Sequence, residues 1–242
     1  YGGFAKPLSM ARWQKRIGWL PAVLGRRVAF AAPSERIRKF GQLMGYPLPA
    51  YFLSRQVFSS EQGASLLRAD CLCGREAWAD EAFGNVLADG GERDDLDKIS
   101  IYELGTYMLS TLLRDTDQMS MAHSLEVRVP LIDPVVVEQM LRVPSRWKRD
   151  ATTPKPMLVH AAGEGLPSHC VHRPKKGFTL PFEAWFKGAM RDDVVGFCNG
   201  GASPVFDSRG LKDLWREYDS GSVAWSRIWG LFVLDHWLTE HR

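Results

Sequence analysis

Apolar residues recur along most of the chain at steps of three and four residues, which is the spacing of an amphipathic helix. Alternating apolar and polar stretches bounded by turn residues, the pattern of a strand, are scarce. The chain is therefore expected to be mainly α-helical. Its N-terminal part should contain helices over residues 5–31 with breaks near Pro21 and Gly25, from Pro33-Ser34 to Met44, and from about Ser59-Ser60-Glu61.

Helix start signals are clearest in the second half of the chain. Ser100-Ile-Tyr-Glu103 has the form of a capping box and predicts a helix over residues 101–114. Asp133 followed by Pro134 predicts another start, because the carboxylate accepts free N–H groups of the first turn and proline needs no partner there. This helix should end before Pro144.

The acidic stretch Asp89-Gly-Gly-Glu-Arg-Asp-Asp95 is the most plausible joint in the chain, since adjacent glycines and charges bury little surface. It leads us to expect two parts: a less recognisable segment, residues 1–98, and a motif-rich segment, residues 99–242. The last helix is expected over residues 223–238, where aromatic and aliphatic side chains recur at helical spacing and predict a buried face.

Composition is that of an ordinary globular protein, because 242 residues with 45% hydrophobic content can bury a full core. No apolar run approaches the roughly 20 residues needed to cross a bilayer, and no signal-peptide pattern opens the chain, so a cytoplasmic setting is expected. The cysteines are too few and irregular for a disulfide framework or for zinc-ligand spacing, so we expect reduced thiols and no metal site. They are Cys71, Cys73, Cys170 and Cys198.

The formal net charge is only +3, but residues 1–41 carry nine Lys and Arg residues against the single acid Glu35. A basic amphipathic stretch such as residues 10–20 is typical of surfaces that bind membranes or nucleic acids. The same stretch fits an ordinary helix with one buried stripe and a solvated cationic face. We prefer the second interpretation, so neither a membrane nor a nucleic acid is an expected partner.

Charged residues in the segment 114–133 are interspersed with apolar residues of a kind that is usually buried. Buried carboxylates and guanidinium groups must form pairs, because an unpaired buried charge is strongly destabilising. We therefore expect a structural ion-pair network, and loss of Glu126 from it should cost about 3–5 kcal/mol. The members of this network would be Arg114, Asp117, Glu126, Arg128 and Asp133.

A short basic loop, Arg173-Pro-Lys-Lys-Gly-Phe178, lies between apolar segments. Pro174 restricts the residue before it to an extended conformation, and Gly177 allows a sharp turn, so the cations are held on a stiff loop. Such a loop can present an ammonium group to a phosphate oxygen. On composition alone, an exposed basic turn is the preferred interpretation.

These two motifs carry a family resemblance. Residues 119–133 and 173–182 resemble the C-terminal half of the synthetase domain of glutamine-hydrolysing asparagine synthetases, and the match extends over residues 99–190. Tyr1-Gly-Gly-Phe4 is similar to the end of the family's Gly-rich acidic loop, so we expect the chain to be a fragment. The implied fold is the helical C-terminal portion of an adenine nucleotide α-hydrolase-like (PP-loop ATP pyrophosphatase) α/β domain, with the parallel sheet largely outside the chain.

The resemblance also implies a chemistry. The intact enzyme would be an amidotransferase and ligase that uses ATP and Mg²⁺ to convert aspartate to a β-aspartyl-adenylate, which ammonia from glutamine attacks to give asparagine. A phosphate-contacting lysine is carried onto Lys175, with Lys176 and Arg173 as weaker candidates. The pyrophosphate loop, the metal-binding acid and the glutaminase cysteine would lie upstream of Tyr1. The fragment alone is therefore expected to be inactive and to hold no cofactor.

Other readings stay open at this point. Relatives that form β-lactams or macrocyclic peptides, or that amidate polysaccharide precursors, share this domain. Gln118 stands where the family often has Arg or Lys, and Ser124 where it often has Gly, which leaves the substrate open. A non-catalytic basic helical binding module is the alternative from another class. We also expect an apolar face that would pack on the missing sheet, and hence homo-oligomers.

Overall fold

The computed structural model describes residues 4–30, 35–71, 77–174, 180–201 and 203–241, and these residues are mainly helical. No strand occurs among them, which confirms the mainly α expectation. No helix in this described part is long and apolar enough to span a lipid bilayer. The α-helices, in chain order, are α1 (Ala5–Ile17), α2 (Ala22–Phe30), α3 (Glu35–Gln42), α4 (Ala50–Arg55), α5 (Ser60–Leu66), α6 (Ala77–Gly90), α7 (Asp95–Glu103), α8 (Arg114–Met121), α9 (Pro134–Arg142), α10 (Ser145–Lys148), α11 (Pro156–Ala162), α12 (Ser168–Val171), α13 (Phe182–Lys187), α14 (Arg191–Gly196), α15 (Ser208–Asp219) and α16 (Trp225–Glu240).

Tighter and wider helical stretches connect some of these elements. The π-helical segments are Leu104–Leu113, which joins α7 to α8, and Phe197–Gly201, which follows α14. Short 3₁₀ turns are formed by Ala69–Cys71, Pro130–Ile132 and Gly163–Gly165. Residues 95–121 are therefore helical throughout.

The chain divides into two compact units that are interleaved in the sequence. The first unit consists of residues 1–55 and 80–175, and the second of residues 56–79 and 176–242. Helix α7 runs through residues 98 and 99 without interruption. The boundary expected between residues 98 and 99 marks where family motifs begin in the sequence and not where a compact unit begins. It stays a prediction.

A hydrophobic core in the first unit holds α7 against α1 and α4. The rings of Tyr51, Phe52, Phe83 and Tyr102 contact one another there, with centroid separations of 4.6 to 5.8 Å. Large aromatic side chains bury much apolar area, so this cluster contributes strongly to stability. It fixes the helix that leads into the motif-rich segment.

The break between α1 and α2 lies near Pro21 as expected, but the break expected near Gly25 is wrong. Gly25 lies inside α2, where a Cβ atom would stand 2.3 Å from the carbonyl oxygen of Gly41. The glycine therefore allows α2 to approach the end of α3 closely, and it does not end the helix. The start signal at Pro33-Ser34 lies outside the described residues.

The helix expected to have Ser100 as its N-cap begins six residues earlier. Asp94 is the N-cap, and its carboxylate accepts hydrogen bonds from the N–H groups of Leu96 and Asp97, both at 3.0 Å. Ser100 lies within α7 and its hydroxyl donates to the carbonyl oxygen of Leu96. The capping-box prediction is therefore wrong, because the acidic stretch before it supplies a stronger cap.

Two other start signals are confirmed. Ser59 caps α5 in a complete capping box with Gln62. Asp133 caps α9 by accepting a hydrogen bond from the Val135 N–H at 2.9 Å, with Pro134 at the first helical position. The helix ends at Arg142, two residues before Pro144, as the proline predicts.

The second unit has its own core, built from α13 to α16 and from α5, which is distant in sequence. Leu67 at the end of α5 forms an isolated antiparallel bridge with Phe206. At Gly210 in α15 a Cβ atom would lie only 1.9 Å from the carbonyl oxygen of Ser65, so only glycine permits this approach. These contacts anchor α5 to α15.

The closing aromatic helix, expected over residues 223–238, is present as α16 and is buried on one side only. Ile228 is fully buried and Trp225 stacks on Phe182 at a centroid distance of 4.3 Å. Trp237 is more than half exposed, which the sequence pattern did not predict. The apolar stripe is therefore shorter than the run of aromatic residues.

Candidate functional site

Residues 114–136, which include the first of the two family motifs, form a segment made of a helix, a turn, an irregular stretch and a second helix start. Helix α8 ends at Met121, and Ser124 adopts a left-handed conformation with φ of +56°. Residues 125–129 have neither helical nor turn structure. The turn Pro130–Ile132 then leads to Asp133 and α9. Local signals thus determine both ends of this segment.

The charged residues of this segment are exposed, and the structural network expected of them stays a prediction. Glu126 and Arg128 pair at 2.5 Å, but their side chains are 69% and 82% exposed. Arg114 and Asp117 are exposed on α8, and Asp133 acts as a helix cap. An exposed ion pair contributes at most about 1 kcal/mol. The sequence suggested burial because apolar residues surround these charges, and those residues are exposed as well.

This apolar exposure is the most unusual property of the segment. Met119, Leu125, Leu131 and Val135 each expose more than 60% of their surface. Contiguous apolar surface of this kind marks interaction sites in soluble proteins. The segment therefore has the character of a surface that another layer of protein covers.

The expected phosphate-binding loop is described only at its edges. Arg173 and Pro174 are exposed after the end of α12, while Lys175, Lys176 and residues 177–179 lie outside the described residues. Leu180 and Pro181 precede α13. A role for these cations at a phosphate group stays a prediction.

The described residues do not provide a ligand set for Mg²⁺. Across these ranges, no group of three or more His, Cys, Asp or Glu side chains could hold a metal ion. Among the described thiols, Cys71 and Cys170 are exposed, and burial raises the pKa of the Cys198 thiol to about 12.

Two polar clusters in the first unit were not predicted. The Tyr51 hydroxyl donates to Glu103 at 2.6 Å, and the Arg55 guanidinium pairs with the other oxygen of that carboxylate. Burial, reinforced by the hydrogen bond to Glu103, raises the pKa of Tyr51 to about 12. The sequence pattern predicts a capping-box role for Glu103, which the structure replaces with this cluster. Glu103 stands within an apolar helical pattern, and a carboxylate in such a pattern needs a partner; this signal could have predicted the cluster.

The second cluster is a buried ion pair. The Lys148 ammonium lies 2.6 Å from the Asp97 carboxylate, and the lysine side chain is almost completely buried. The pair links α10 to the first turn of α7. The two residues are 51 positions apart, and no local pattern relates them.

Comparison with known proteins assigns the class. A family model described as asparagine synthase matches residues 1–239, which is nearly the whole chain. The chain belongs to the asparagine synthase family. This confirms the resemblance seen in the two sequence motifs.

Individual relatives agree with this assignment. The chain is 36% identical over 108 residues, 45% of its length, to asparagine synthetase [glutamine-hydrolyzing] 1 of Bacillus subtilis. It is 30% identical over 157 residues, 63% of its length, to putative asparagine synthetases [glutamine-hydrolyzing] of Mycobacterium bovis and Mycobacterium tuberculosis. The aligned regions cover only 17% and 24% of these relatives. No solved structure matches the chain.

Proposed function

We propose that this chain supplies the helical C-terminal part of the synthetase domain of an ATP-dependent, asparagine-forming ligase. The observation that carries the proposal is the family match over residues 1–239. In the intact enzyme, aspartate would be activated as a β-aspartyl-adenylate and ammonia released from glutamine would form the amide. The names of the relatives, which are described as glutamine-hydrolysing asparagine synthetases, support aspartate and glutamine as the substrates.

Within this function we assign Lys175 to the phosphates of ATP. Its ammonium group would neutralise charge that develops on the α-phosphate and the departing pyrophosphate, which is a preorganised electrostatic contribution. The neighbouring Pro174 supports this role because it restricts the backbone of the loop, and Gly177 allows the loop to turn sharply. Lys176 and Arg173 are assigned weaker contacts, since adjacent side chains on such a loop point in different directions.

The test of this assignment is Lys175→Ala in the intact synthetase to which we assign the chain. Aspartate-dependent ATP–pyrophosphate exchange should fall by roughly 10²–10³, the usual scale for losing one preorganised transition-state contact. Glutaminase activity should stay nearly constant. Lys176→Ala is the matched control and should have a much smaller effect. Full synthetase activity after Lys175→Ala, or a larger loss after Lys176→Ala, would contradict the assignment.

A separate experiment tests whether aspartate is the carboxylate that the intact enzyme activates. An intact synthetase with aspartate as its substrate should restore growth of an asparagine auxotroph without added asparagine. Pyrophosphate exchange that depends on another carboxylate, with none for aspartate, would instead indicate a relative that acts on a different acceptor.

The 242-residue chain by itself should show no aspartate-dependent exchange. The 242-residue sequence has no Ser-Gly-Gly-x-Asp-Ser phosphate loop, and its described residues have no acidic cluster suited to Mg²⁺. Specific, Mg²⁺-dependent exchange by the chain alone would refute the proposal that the catalytic loops lie elsewhere.

A further inference from the structure

A polar cluster inside the first unit joins the end of α7 to α4. The Tyr51 hydroxyl donates to one oxygen of the Glu103 carboxylate at 2.6 Å, and the Arg55 guanidinium pairs with the other oxygen. Tyr51 is buried, and burial raises its pKa to about 12, so its hydroxyl keeps the proton that it donates. Hydrogen bonds to a charged group are stronger than those between neutral groups. The cluster therefore ties the two helices firmly together.

The same two side chains of α4 also contact the next turn of the helix. The Tyr51 hydroxyl lies 3.2 Å from the Thr106 hydroxyl, and the Arg55 guanidinium lies over the Tyr107 ring, 5.0 Å from its centroid. Residues 103, 106 and 107 are separated by steps of three and four, which place them on one side of a helix. Helix α4 therefore contacts this side across the boundary between α7 and the π-helical segment that follows it.

This boundary determines the orientation of the rest of the helix. Backbone hydrogen bonds span five residues in a π-helix and four in an α-helix, so conversion of one π turn to an α turn shifts the register by about one residue. Such a shift rotates all that follows by about 100°. Residues 95–121 form one continuous helix, so the rotation would reach α8 and the family motif at residues 119–133.

Apolar packing alone does not fix this rotation. Tyr102 is the last residue of this helix among the buried side chains of the core. At Gly105, a Cβ atom would lie 2.8 Å from a methyl group of Val86, so the two helices approach closely there. Because glycine has no side chain to interlock, this contact sets the spacing of the helices and not the rotation. Directional contacts at the boundary come from α4.

We propose that Tyr51, Arg55 and Glu103 are positioning residues, which hold the α-to-π boundary in place and thereby set the orientation of α8 and of the motif that follows. None of the three is assigned a contact with a substrate. The consequence for catalysis rests on the proposed function, since residues 119–133 form a motif of the synthetase family.

Spin-label distances in the full 242-residue chain test the orientation of α8. The exposed Lys6 on α1 and Asp115 on α8 are replaced by labelled cysteines. Cys198 is buried, and serine replaces the other native cysteines, which are Cys71, Cys73 and Cys170. Glu103→Ala should add a second distance that differs by up to roughly 8 Å, because a rotation of about 100° moves a side chain that far on a helix about 10–12 Å wide.

Two further variants separate orientation from stability. Tyr51→Phe keeps the packed ring and removes only the hydroxyl, so it should broaden the distances less than Glu103→Ala. Lys148→Met is the matched control, because it breaks an ion pair at the other end of α7 and should leave the distances unchanged. All are measured where circular dichroism shows a folded chain, and Tyr51→Phe decides if Glu103→Ala does not fold. Unchanged distances in the cluster variants, or an equal change in Lys148→Met, would overturn the proposal.

Kinetics of the intact synthetase test the consequence for catalysis. Glu103→Ala should lower kcat of aspartate-dependent ATP–pyrophosphate exchange by roughly 10–100-fold, since a misplacement of about 1 Å can cost that much, with KM for ATP nearly unchanged. Glu103→Gln keeps an acceptor for Tyr51 and should regain part of the loss, while folded Lys148→Met should keep its kcat. An equal loss in Lys148→Met would overturn the positioning role. If the original enzyme shows no exchange with aspartate, the proposed function fails, and the distances measured in the chain still decide this inference.

Discussion

The buried pair between Lys148 and Asp97 gives the strongest prediction about stability. The Lys148 side chain is 1% exposed and its ammonium lies 2.6 Å from a carboxylate that is 12% exposed. Lys148→Met keeps the length and apolar stem of the side chain but removes the charge. Asp97 is then left buried without its cation. Breaking a buried pair in this way costs about 3–5 kcal/mol.

The size of this loss of stability follows from burial. An exposed ion pair, whose acid also lies in α7, provides the comparison. Lys15 pairs with Asp95 at 2.7 Å, but its side chain is 69% exposed. Lys15→Met should therefore cost less than about 1 kcal/mol. Replacing both buried partners, with Lys148→Met and Asp97→Leu together, should restore most of the stability, because no unpaired charge remains.

Urea unfolding followed by far-ultraviolet circular dichroism measures these differences. Lys148→Met should shift the midpoint strongly at an unchanged slope, since the surface exposed on unfolding is nearly the same. A loss no larger than that of Lys15→Met would refute the argument from burial. A double variant as unstable as the single one would show that packing, and not the unpaired charge, causes the loss.

Three further outcomes are expected. Asp133→Ala should remove the cap of α9 and cost about 1 kcal/mol, seen as reduced hydrogen-exchange protection of residues 135–138, whereas unchanged protection would contradict the capping role. Glu126→Ala should cost less than about 1 kcal/mol in thermal melts of the chain, and a loss near 3–5 kcal/mol would indicate a buried partner after all. Because burial raises the folded pKa of Cys198 to about 12 from an unfolded value of about 8.5, stability should fall as pH rises between these values. Cys198→Ala should make that fall shallower in urea titrations at pH 8 and pH 10, and an identical fall would contradict the assignment to this thiol.

Local signals in the sequence predicted helix starts well where one candidate cap stood alone. Ser59 and Asp133 are such cases, and both cap the expected helices. At α7 two candidates competed within six residues, and the sequence alone favoured Ser100. Asp94 is the actual cap because the helix includes Leu96, which packs in the core. The choice between caps is made by tertiary packing, which local patterns do not contain.

The sequence was enough to identify the motifs of the candidate site, but not the burial or the contacts of its residues. The motifs at residues 119–133 and 173–182 identified the family, because they are long and specific. The burial of Glu126 was inferred from its apolar neighbours, and this inference assumes that apolar residues find a covering layer. The pair of Lys148 with Asp97 joins residues far apart in sequence, so only the fold reveals it.

The anchoring of α5 to α15 has a consequence for the order of events during synthesis. Leu67 and its bridge partner Phe206 are separated by about 140 residues, and ribosomes add roughly 5–20 residues per second. Helix α5 is therefore synthesised on the order of ten seconds before α15, the helix on which it packs. During that interval the first unit can complete its core, because residues 80–175 emerge before α15. The second unit can close only after the C-terminal helices have been synthesised, and until then the apolar side of α5 lacks the partner it packs on in the folded chain.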